Sequence, residues 1–330
     1  MRRAPEKIHC RGRPFTVEKT VRLRGRSYWM TARLGNRGRR KLQVFDPASK
    51  DLRIIHLLPR SRHAEQQLRV LRRAGRLEGF PNILDVESRG NEVHVLTDWI
   101  WGETLSRYME SANRGRKRWP SADTAWRLYA RFVHSLCQFH DFTMCVHGDI
   151  KPENLIIQAQ PQRLRLIDFG SAWYEENAKR REVGDDHTLG YAAPEMRAGG
   201  RATVLADQFS TNAVMYEMLT GELPYEGMGG RAGWSENIQA FSGSFQVPSG
   251  TCRGDATLPK TAWKRIDAII QRGVALDADE RFPTSNAWRD AVDEVSHLLS
   301  QSLAQPVWQR RVVDTIERVV SYFGRGSKPS

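Results

Sequence analysis

The fold is decided by the stretch Val146-His-Gly-Asp-Ile-Lys-Pro-Glu-Asn-Leu-Ile-Ile157, which is followed shortly by Leu164-Arg-Leu-Ile-Asp-Phe-Gly170. Each segment contains a short apolar run that predicts a β-strand, and the two strands would bring Asp149, Asn154 and Asp168 into one cleft. One carboxylate there can orient a hydroxyl group, and the other two side chains offer oxygen ligands for a hard cation. Phosphoryl transfer needs positioning, charge neutralisation and Mg²⁺, so the pattern predicts a phosphotransferase site.

These segments resemble the catalytic loop and the metal-binding loop of the eukaryotic-like (Hanks-type) serine/threonine protein kinases. Further matches follow in the family's order along the chain. They are Thr188-Leu-Gly-Tyr-Ala-Ala-Pro-Glu195 at the end of the activation segment, Asp207-Gln-Phe-Ser210 on a buried helix, and Asp279-Glu-Arg-Phe-Pro-Thr284. The resemblance is strong from about residue 92 to residue 299, and its form is typical of bacterial members.

The resemblance implies a bilobal α+β fold with a small β-rich N-lobe and a larger helical C-lobe. The expected boundaries are 15–97 for the N-lobe, 98–102 for the hinge and 103–299 for the C-lobe. The first third is rich in strand patterns, with one helical pattern at Arg62–Ala74, and the rest is rich in helical patterns, which favours the same division. The later helices are predicted at Ala122–His140, Ala206–Leu219, Ala262–Ala275 and Ser285–Leu299. The implied activity is transfer of the ATP γ-phosphate to Ser or Thr hydroxyls of protein substrates, with Mg²⁺, or alternatively Mn²⁺, as the metal.

Functional roles follow from the resemblance, residue by residue. Asp149 matches the catalytic aspartate, which orients or accepts the proton of the substrate hydroxyl, and Lys151 matches the residue that steadies the γ-phosphate. Asn154 and Asp168 match the metal ligands. Thr188 is expected to bond the catalytic loop and shape the substrate site. The lysine at position 151 favours Ser/Thr over Tyr by family analogy.

Five further positions are carried over in the same way. Thr97 falls where the residue behind the adenine pocket stands, while Trp99 and Ile100 fall on the hinge. Glu195 and Arg281 match a structural ion pair of the C-lobe and not catalytic groups.

The N-lobe departs from the family pattern. The candidate phosphate loop is Gly35-Asn-Arg-Gly-Arg-Arg-Lys-Leu42, which keeps the first glycine but has arginines at the second and third glycine positions. His56 falls where the strand lysine stands, and a neutral imidazole is a poor substitute for a fixed cation near pH 7. With-no-lysine kinases take the cation from the third glycine position, so Arg40, with Lys41 beside it, is predicted to contact the phosphates. Glu65 is the best candidate for the carboxylate on the following helix.

Three alternatives stay open. The altered glycine loop and His56 favour a pseudokinase that binds nucleotide or acts as a scaffold, whereas the intact Asp149, Asn154 and Asp168 oppose it. Small-molecule kinases of the aminoglycoside-phosphotransferase type share His-Gly-Asp and Ile-Asp-Phe but usually lack the Ala-Pro-Glu segment. The net charge of +13 would suit nucleic acid, but no basic motif interleaved with aromatic residues supports that partner.

The composition indicates a globular chain, and the two terminal segments are predicted to lie outside the kinase domain. The 330 residues are 40% hydrophobic, enough for a packed core, and contain no C-x-x-C pair and no long apolar run. A cytoplasmic location is therefore expected. Residues 1–14 are predicted to form a loose basic tail. Residues 300–330 are predicted to form an amphipathic helix and tail, which packs on the core or docks a partner; a membrane-surface helix is the weaker interpretation because its polar face is of mixed charge.

Overall fold

The computed structural model describes residues 6–35, 40–174, 186–197 and 203–304. The described part of the N-lobe contains eight strands and one helix: β1 (Lys7–Cys10), β2 (Arg13–Thr16), β3 (Lys19–Leu23), β4 (Arg26–Leu34), β5 (Lys41–Asp46), β6 (Asp51–Pro59), α1 (Arg62–Ala74), β7 (Ile83–Arg89) and β8 (Glu92–Asp98). Six of these strands form one antiparallel sheet in the order β3-β4-β5-β6-β8-β7.

The C-lobe is mainly helical. Its elements are β9 (Glu103–Thr104), α2 (Leu105–Asn113), α3 (Ala122–Thr143), β10 (Cys145–Val146), β11 (Leu155–Ala159), β12 (Gln162–Leu166), β13 (Trp173–Tyr174), α4 (Asp186–Tyr191), α5 (Pro194–Arg197), α6 (Val204–Thr220), α7 (Ile238–Phe241), α8 (Pro248–Thr251), α9 (Lys260–Gly273) and α10 (Ser285–Ala304). The two lobes thus confirm the bilobal α+β fold expected from the motifs.

The register of the N-lobe sheet places the end of the candidate glycine loop beside His56. Strands β4 and β5 pair so that Leu34 lies opposite Lys41, and β5 pairs with β6 so that Lys41 lies opposite His56. The loop that carries the candidate glycine positions therefore joins the ends of β4 and β5. Strand β6 also pairs with β8, whose last residues lead into the hinge.

Helix α1 begins and ends where its sequence pattern predicts. The Ser61 hydroxyl caps its N-terminus by accepting a hydrogen bond from the Ala64 N–H. One face is buried, and its members recur at the helical spacing of three or four residues: Ala64, Gln67, Val70, Leu71 and Ala74. This face packs against α3 and the loop after β12, so α1 bridges the two lobes.

The C-lobe core is built around α6, which is buried on nearly all sides and is packed between α3 and α9. A polar chain crosses this core, because the indole N–H of Trp288 donates to the Tyr129 hydroxyl (3.0 Å), which donates in turn to Asn212 (2.8 Å). Buried Tyr and Trp polar atoms need such partners. Helix α6 ends at Thr220 and is capped by Gly221, whose φ of +84° is the left-handed conformation that favours glycine at this position.

The structure differs from expectation at the N-terminus. Strands β1 and β2 pair as a hairpin over Lys7–Thr16, where the sequence predicts a loose tail through residue 14. The apolar side chains of Ile8, Cys10 and Phe15 pack against the sheet and outweigh the surrounding basic charge. At the other end, α10 continues to Ala304, into the segment 300–330 that is predicted to form an amphipathic helix and tail, and the rest of that segment lies outside the described residues. Among the residues described, no helix is both long and apolar enough to cross a membrane.

Candidate active site

A buried carboxylate on α6 holds the segment between β10 and β11. Asp207 accepts hydrogen bonds from the backbone N–H groups of His147 (2.7 Å) and Gly148 (2.8 Å) and pairs with the His140 ring (2.9 Å). Burial alone would raise the pKa of Asp207, but its contacts with the two histidines keep that pKa below the usual value. The backbone immediately before Asp149 is therefore fixed to the core of the C-lobe.

The Asp149 carboxylate is oriented by two neighbours in its own loop. The Lys151 Nζ lies 3.0 Å from Asp149 Oδ1. The Asn154 amide nitrogen donates to Asp149 Oδ2 (2.9 Å) and to the Asp149 carbonyl oxygen (2.8 Å). Because the Asn154 nitrogen is used in this way, its Oδ1 is free of these two contacts and can coordinate a cation.

Asp168 follows β12, which pairs with β11, and its φ of +66° turns the chain sharply at this point. Its carboxylate accepts the Gly170 N–H (3.4 Å) and lies 2.6 Å from the Lys41 Nζ. Burial alone would raise the pKa of Asp168, but the Lys41 ammonium holds it below the usual value. The carboxylate is thus ionised at neutral pH and is linked across the cleft to the N-lobe.

The structure places Lys41, and not Arg40, against Asp168. The Arg40 side chain is exposed, whereas Lys41 begins β5 and extends into the cleft. Successive residues of an extended strand point to opposite faces, so only one of the two can face Asp168. The cross-strand pairing of Lys41 with His56 is the signal that could have found it, because both side chains share one face.

His56 occupies the position beside this cation and is neutral. Its Nε2 lies 3.2 Å from the Thr97 hydroxyl oxygen. Burial, together with the nearby Lys41 ammonium, lowers the pKa of His56 to about 4. His56 therefore carries no charge at pH 7 and serves as a hydrogen-bonding neighbour of Thr97, which is itself buried.

Helix α1 contacts Gly170, in the loop after β12, through an imidazole. The side chain of Glu65, the predicted carboxylate partner, is exposed, while Gln67 is buried. The His63 Nε2 lies 2.9 Å from the Gly170 carbonyl oxygen, and its ring packs on Trp173 at 5.1 Å. Sequence reasoning missed His63, because nothing in a lone histidine on a helix indicates a partner so distant in sequence.

Two other predicted site residues, Ile100 and Trp99, lie directly after β8, in the segment 98–102 that is predicted to be the hinge. Ile100 is buried and Trp99 is half-buried. Gly35 lies just after β4 with a φ of +99°. The intervening residues 36–39 and the Thr188 side chain lie outside the described residues.

The oxygen donors of Asn154 and Asp168 fit a hard cation. Within the described part of the chain, no group of three or more His, Cys, Asp and Glu side chains could enclose a metal ion. Mg²⁺ is commonly held by one or two protein oxygens and completes its shell with phosphate oxygens and water. The donor set therefore suits a cation that binds together with a phosphorylated ligand.

Two further pairs support the region after Gly170. The Arg281 guanidinium contacts both Glu195 carboxylate oxygens, at 2.7 Å and 3.0 Å, and Arg281 is 1% exposed. The Tyr191 hydroxyl donates to Glu217 (2.6 Å). Burial raises the pKa of Glu217 to about 7. Both pairs tie the segment around the Ala-Pro-Glu motif to the C-lobe core.

A model of the protein kinase domain matches residues 60–310 of the chain. The chain belongs to the protein kinase family. The match begins directly after β6, so the candidate glycine loop and His56 lie outside it. The family predicted from the motifs is thereby confirmed, and the unmatched part coincides with the N-lobe strands that depart from the family pattern.

Curated relatives of this protein kinase chain include bacterial enzymes. It is 27% identical over 282 residues to the tyrosine-protein kinase MasK of Myxococcus xanthus, covering 81% of this chain and 42% of the relative. It is 27% identical over 249 residues to the serine/threonine-protein kinase PknE of Mycobacterium tuberculosis, covering 74% and 41%. The chain thus spans about two fifths of the length of these relatives.

A solved structure shows the same fold. The kinase PK-1 of Cydia pomonella granulovirus matches with a TM-score of 0.58 at 16% identity, over 77% of this chain and 89% of that one. At this identity the likeness concerns the fold alone.

Proposed function

We propose that the chain transfers the γ-phosphoryl group of ATP to Ser or Thr hydroxyls of protein substrates. One observation carries the proposal: four side chains of the C-lobe, Asp149, Lys151, Asn154 and Asp168, line one cleft, and Lys41 reaches it from the N-lobe. This set supplies a hydroxyl-orienting carboxylate, metal ligands and fixed positive charge, which are the requirements of phosphoryl transfer.

Asn154 Oδ1 and the Asp168 carboxylate would hold Mg²⁺, or Mn²⁺ in its place, which neutralises phosphate charge when it is bound with ATP. Lys41 supplies the cation that the neutral His56 cannot. Its 2.6 Å contact with Asp168 keeps the ammonium beside the metal ligands and within reach of the phosphates. Gly35 and Arg40 flank the loop that would cover those phosphates, with Arg40 in a solvent-facing role.

Asp149 acts on the substrate hydroxyl. Its carboxylate accepts the hydroxyl hydrogen bond and directs the oxygen toward the γ-phosphorus. As the new oxygen–phosphorus bond forms, the bond from the γ-phosphorus to the bridging oxygen breaks and ADP leaves. The hydroxyl proton passes to Asp149, while the Lys151 ammonium, 3.0 Å from Asp149, stabilises the charge on the transferring group.

The adenine end of the site is assigned to the hinge. Backbone groups around Trp99 and Ile100 would meet the adenine edge, with the buried Thr97 behind it. Lys151 supports Ser/Thr specificity by family analogy. The relatives include both a tyrosine kinase and a serine/threonine kinase, so the acceptor must be measured.

The test is incubation of the purified chain with γ-labelled ATP, Mg²⁺ and a general protein substrate, followed by phosphoamino-acid analysis. We expect label on serine and threonine, and its loss in Asp149→Asn, which keeps the size of the side chain but removes its basicity. Nucleotide binding is measured in parallel. Binding without turnover in the parent chain would identify a pseudokinase, and label on tyrosine alone would refute the acceptor assignment.

A further inference from the structure

The N-terminal hairpin lies on the sheet beside the hinge. It comprises β1 and β2, Lys7–Thr16, joined by a turn at Arg11 and Gly12. Its apolar side chains share a cluster with Phe45 and Leu52 of the main sheet. The indole rings of Trp99 and Trp101 pack against this same cluster, so one apolar body joins the hairpin, the sheet and the hinge.

A polar contact reinforces that apolar one. The indole N–H of Trp101 donates to Asp51 Oδ1 at 3.0 Å, at the start of β6. Arg11 of the hairpin contacts the other oxygen of Asp51 at 3.4 Å. Its guanidinium also lies over the Trp101 ring, 4.8 Å from the centroid. Trp101 is therefore held by the hairpin on one side and by the sheet on the other.

The contact between Trp101 and Asp51 links the hinge to a strand of the candidate active site. Residues 98–102 connect the lobes, and closure of a kinase about its hinge depends on a few residues that absorb the backbone change. Strand β6 carries Asp51 at its start and His56, beside Lys41, further along. A restraint on Trp101 thus fixes the hinge relative to the strand that lines the phosphate end of the cleft.

We propose that the hairpin and Asp51 clamp the hinge through Trp101, which makes Trp101 a positioning residue for ATP. This inference rests on the proposed function, since it takes the hinge to be the adenine-binding segment. Trp101 acts through the backbone of its neighbours and through the orientation of the lobes. Loosening the clamp raises the KM for ATP and leaves the chemical step, performed by Asp149, largely unchanged.

The test compares Trp101→Phe with Trp29→Phe. Both changes remove an indole N–H and keep an aromatic ring in the same cluster, but Trp29 stacks on Phe45 (5.7 Å) and does not hydrogen-bond to Asp51. We expect Trp101→Phe to raise the KM for ATP about 3- to 10-fold with kcat within about twofold, and Trp29→Phe to change the KM less than about twofold. Asp51→Asn, which retains an acceptor oxygen, should fall between them.

Hydrogen exchange at the hinge amides, measured without nucleotide, separates this inference from the proposed function. Faster exchange at 98–102 in Trp101→Phe than in Trp29→Phe supports the clamp even if the parent chain shows no phosphoryl transfer. Equal exchange in the two variants, or equal KM values in an active enzyme, overturns it. A kcat loss that accompanies an unchanged KM also overturns it, because a clamp of this kind acts on binding.

Discussion

Replacing Arg281 with alanine should destabilise the C-lobe strongly, because its guanidinium has four partners and is almost fully buried. It bonds both carboxylate oxygens of Glu195, at 2.7 Å and 3.0 Å, and the carbonyl oxygens of Leu205 (3.0 Å) and Ala275 (2.9 Å). It also lies over the Phe209 ring, 5.0 Å from the centroid. Alanine removes every one of these contacts.

The magnitude follows from what is left behind. Breaking a buried ion pair by removing one partner costs about 3–5 kcal/mol. The Glu195 side chain is 28% exposed, so water partly solvates the stranded carboxylate and reduces the cost. The two carbonyl groups each lose a charged hydrogen-bond donor, which increases the cost of the substitution. We therefore expect a loss of about 3–4 kcal/mol in the free energy of unfolding, which lowers the melting temperature by roughly 6–16 °C.

Urea unfolding of Arg281→Ala and Arg265→Ala provides the comparison. Arg265 pairs with Glu294 at 2.8 Å in the same lobe, but the two side chains are 54% and 45% exposed. An exposed pair contributes at most about 1 kcal/mol, so Arg265→Ala should be nearly neutral. Equal effects of the two variants would show that the burial of Arg281 does not determine its contribution.

Three further outcomes are expected. The pKa of His56 is about 4 in the folded chain and near 6.5 in the unfolded chain, so the unfolded chain binds the proton more readily. The free energy of unfolding should therefore fall by up to about 3 kcal/mol as the pH drops from 6.5 to 4. In urea denaturation at stepped pH, His56→Gln should lose less stability over this range than the parent chain. The pKa of Glu217 is raised to about 7, so the stability that its protonated carboxyl contributes is present below pH 4.5 and is lost as the pH rises through 7. Glu217→Gln keeps an acceptor for Tyr191 but does not ionise. The free energy of unfolding of this variant should therefore rise by about 2–3 kcal/mol relative to the parent between pH 4.5 and pH 8. Asp168→Ala should abolish metal-dependent phosphorylation while circular dichroism shows the fold intact, and undiminished labelling would exclude Asp168 as a metal ligand.

Much of the C-lobe is predictable from the sequence because its information is local. The bounds of α3, α6 and α10 are predicted to within a few residues. The paired strands β11 and β12 lie between Asn154 and Asp168, and Asp149 precedes Asn154 in the same loop, so the spacing predicts that the three share one cleft. Where strand or helix periodicity and turn residues occur together in one short segment, that segment alone predicts where the elements begin and end.

The N-lobe is less predictable because its contacts join distant residues. Choosing Lys41 over Arg40 requires the phase of β5 relative to Asp168, which lies in the other lobe. The basic composition of residues 1–14 predicts a loose tail, whereas the hairpin at Lys7–Thr16 is stabilised by packing against Trp99 and Trp101, which are distant in sequence. The sequence pattern of β5 does not indicate its contact with Asp168, and the pattern of the hairpin does not indicate its contacts with Trp99 and Trp101.

The central claim is that this protein kinase takes its phosphate-binding cation from β5. Its most direct test is the kcat/KM for ATP of Lys41→Ala, measured against Arg40→Ala and His56→Ala. A charged hydrogen bond contributes about 1.5–3 kcal/mol, so Lys41→Ala should lose roughly 10- to 100-fold while the other two lose much less. A larger loss in Arg40→Ala or His56→Ala would contradict the assignment of Lys41. No loss in any of the three would show that this N-lobe does not hold the phosphates of ATP.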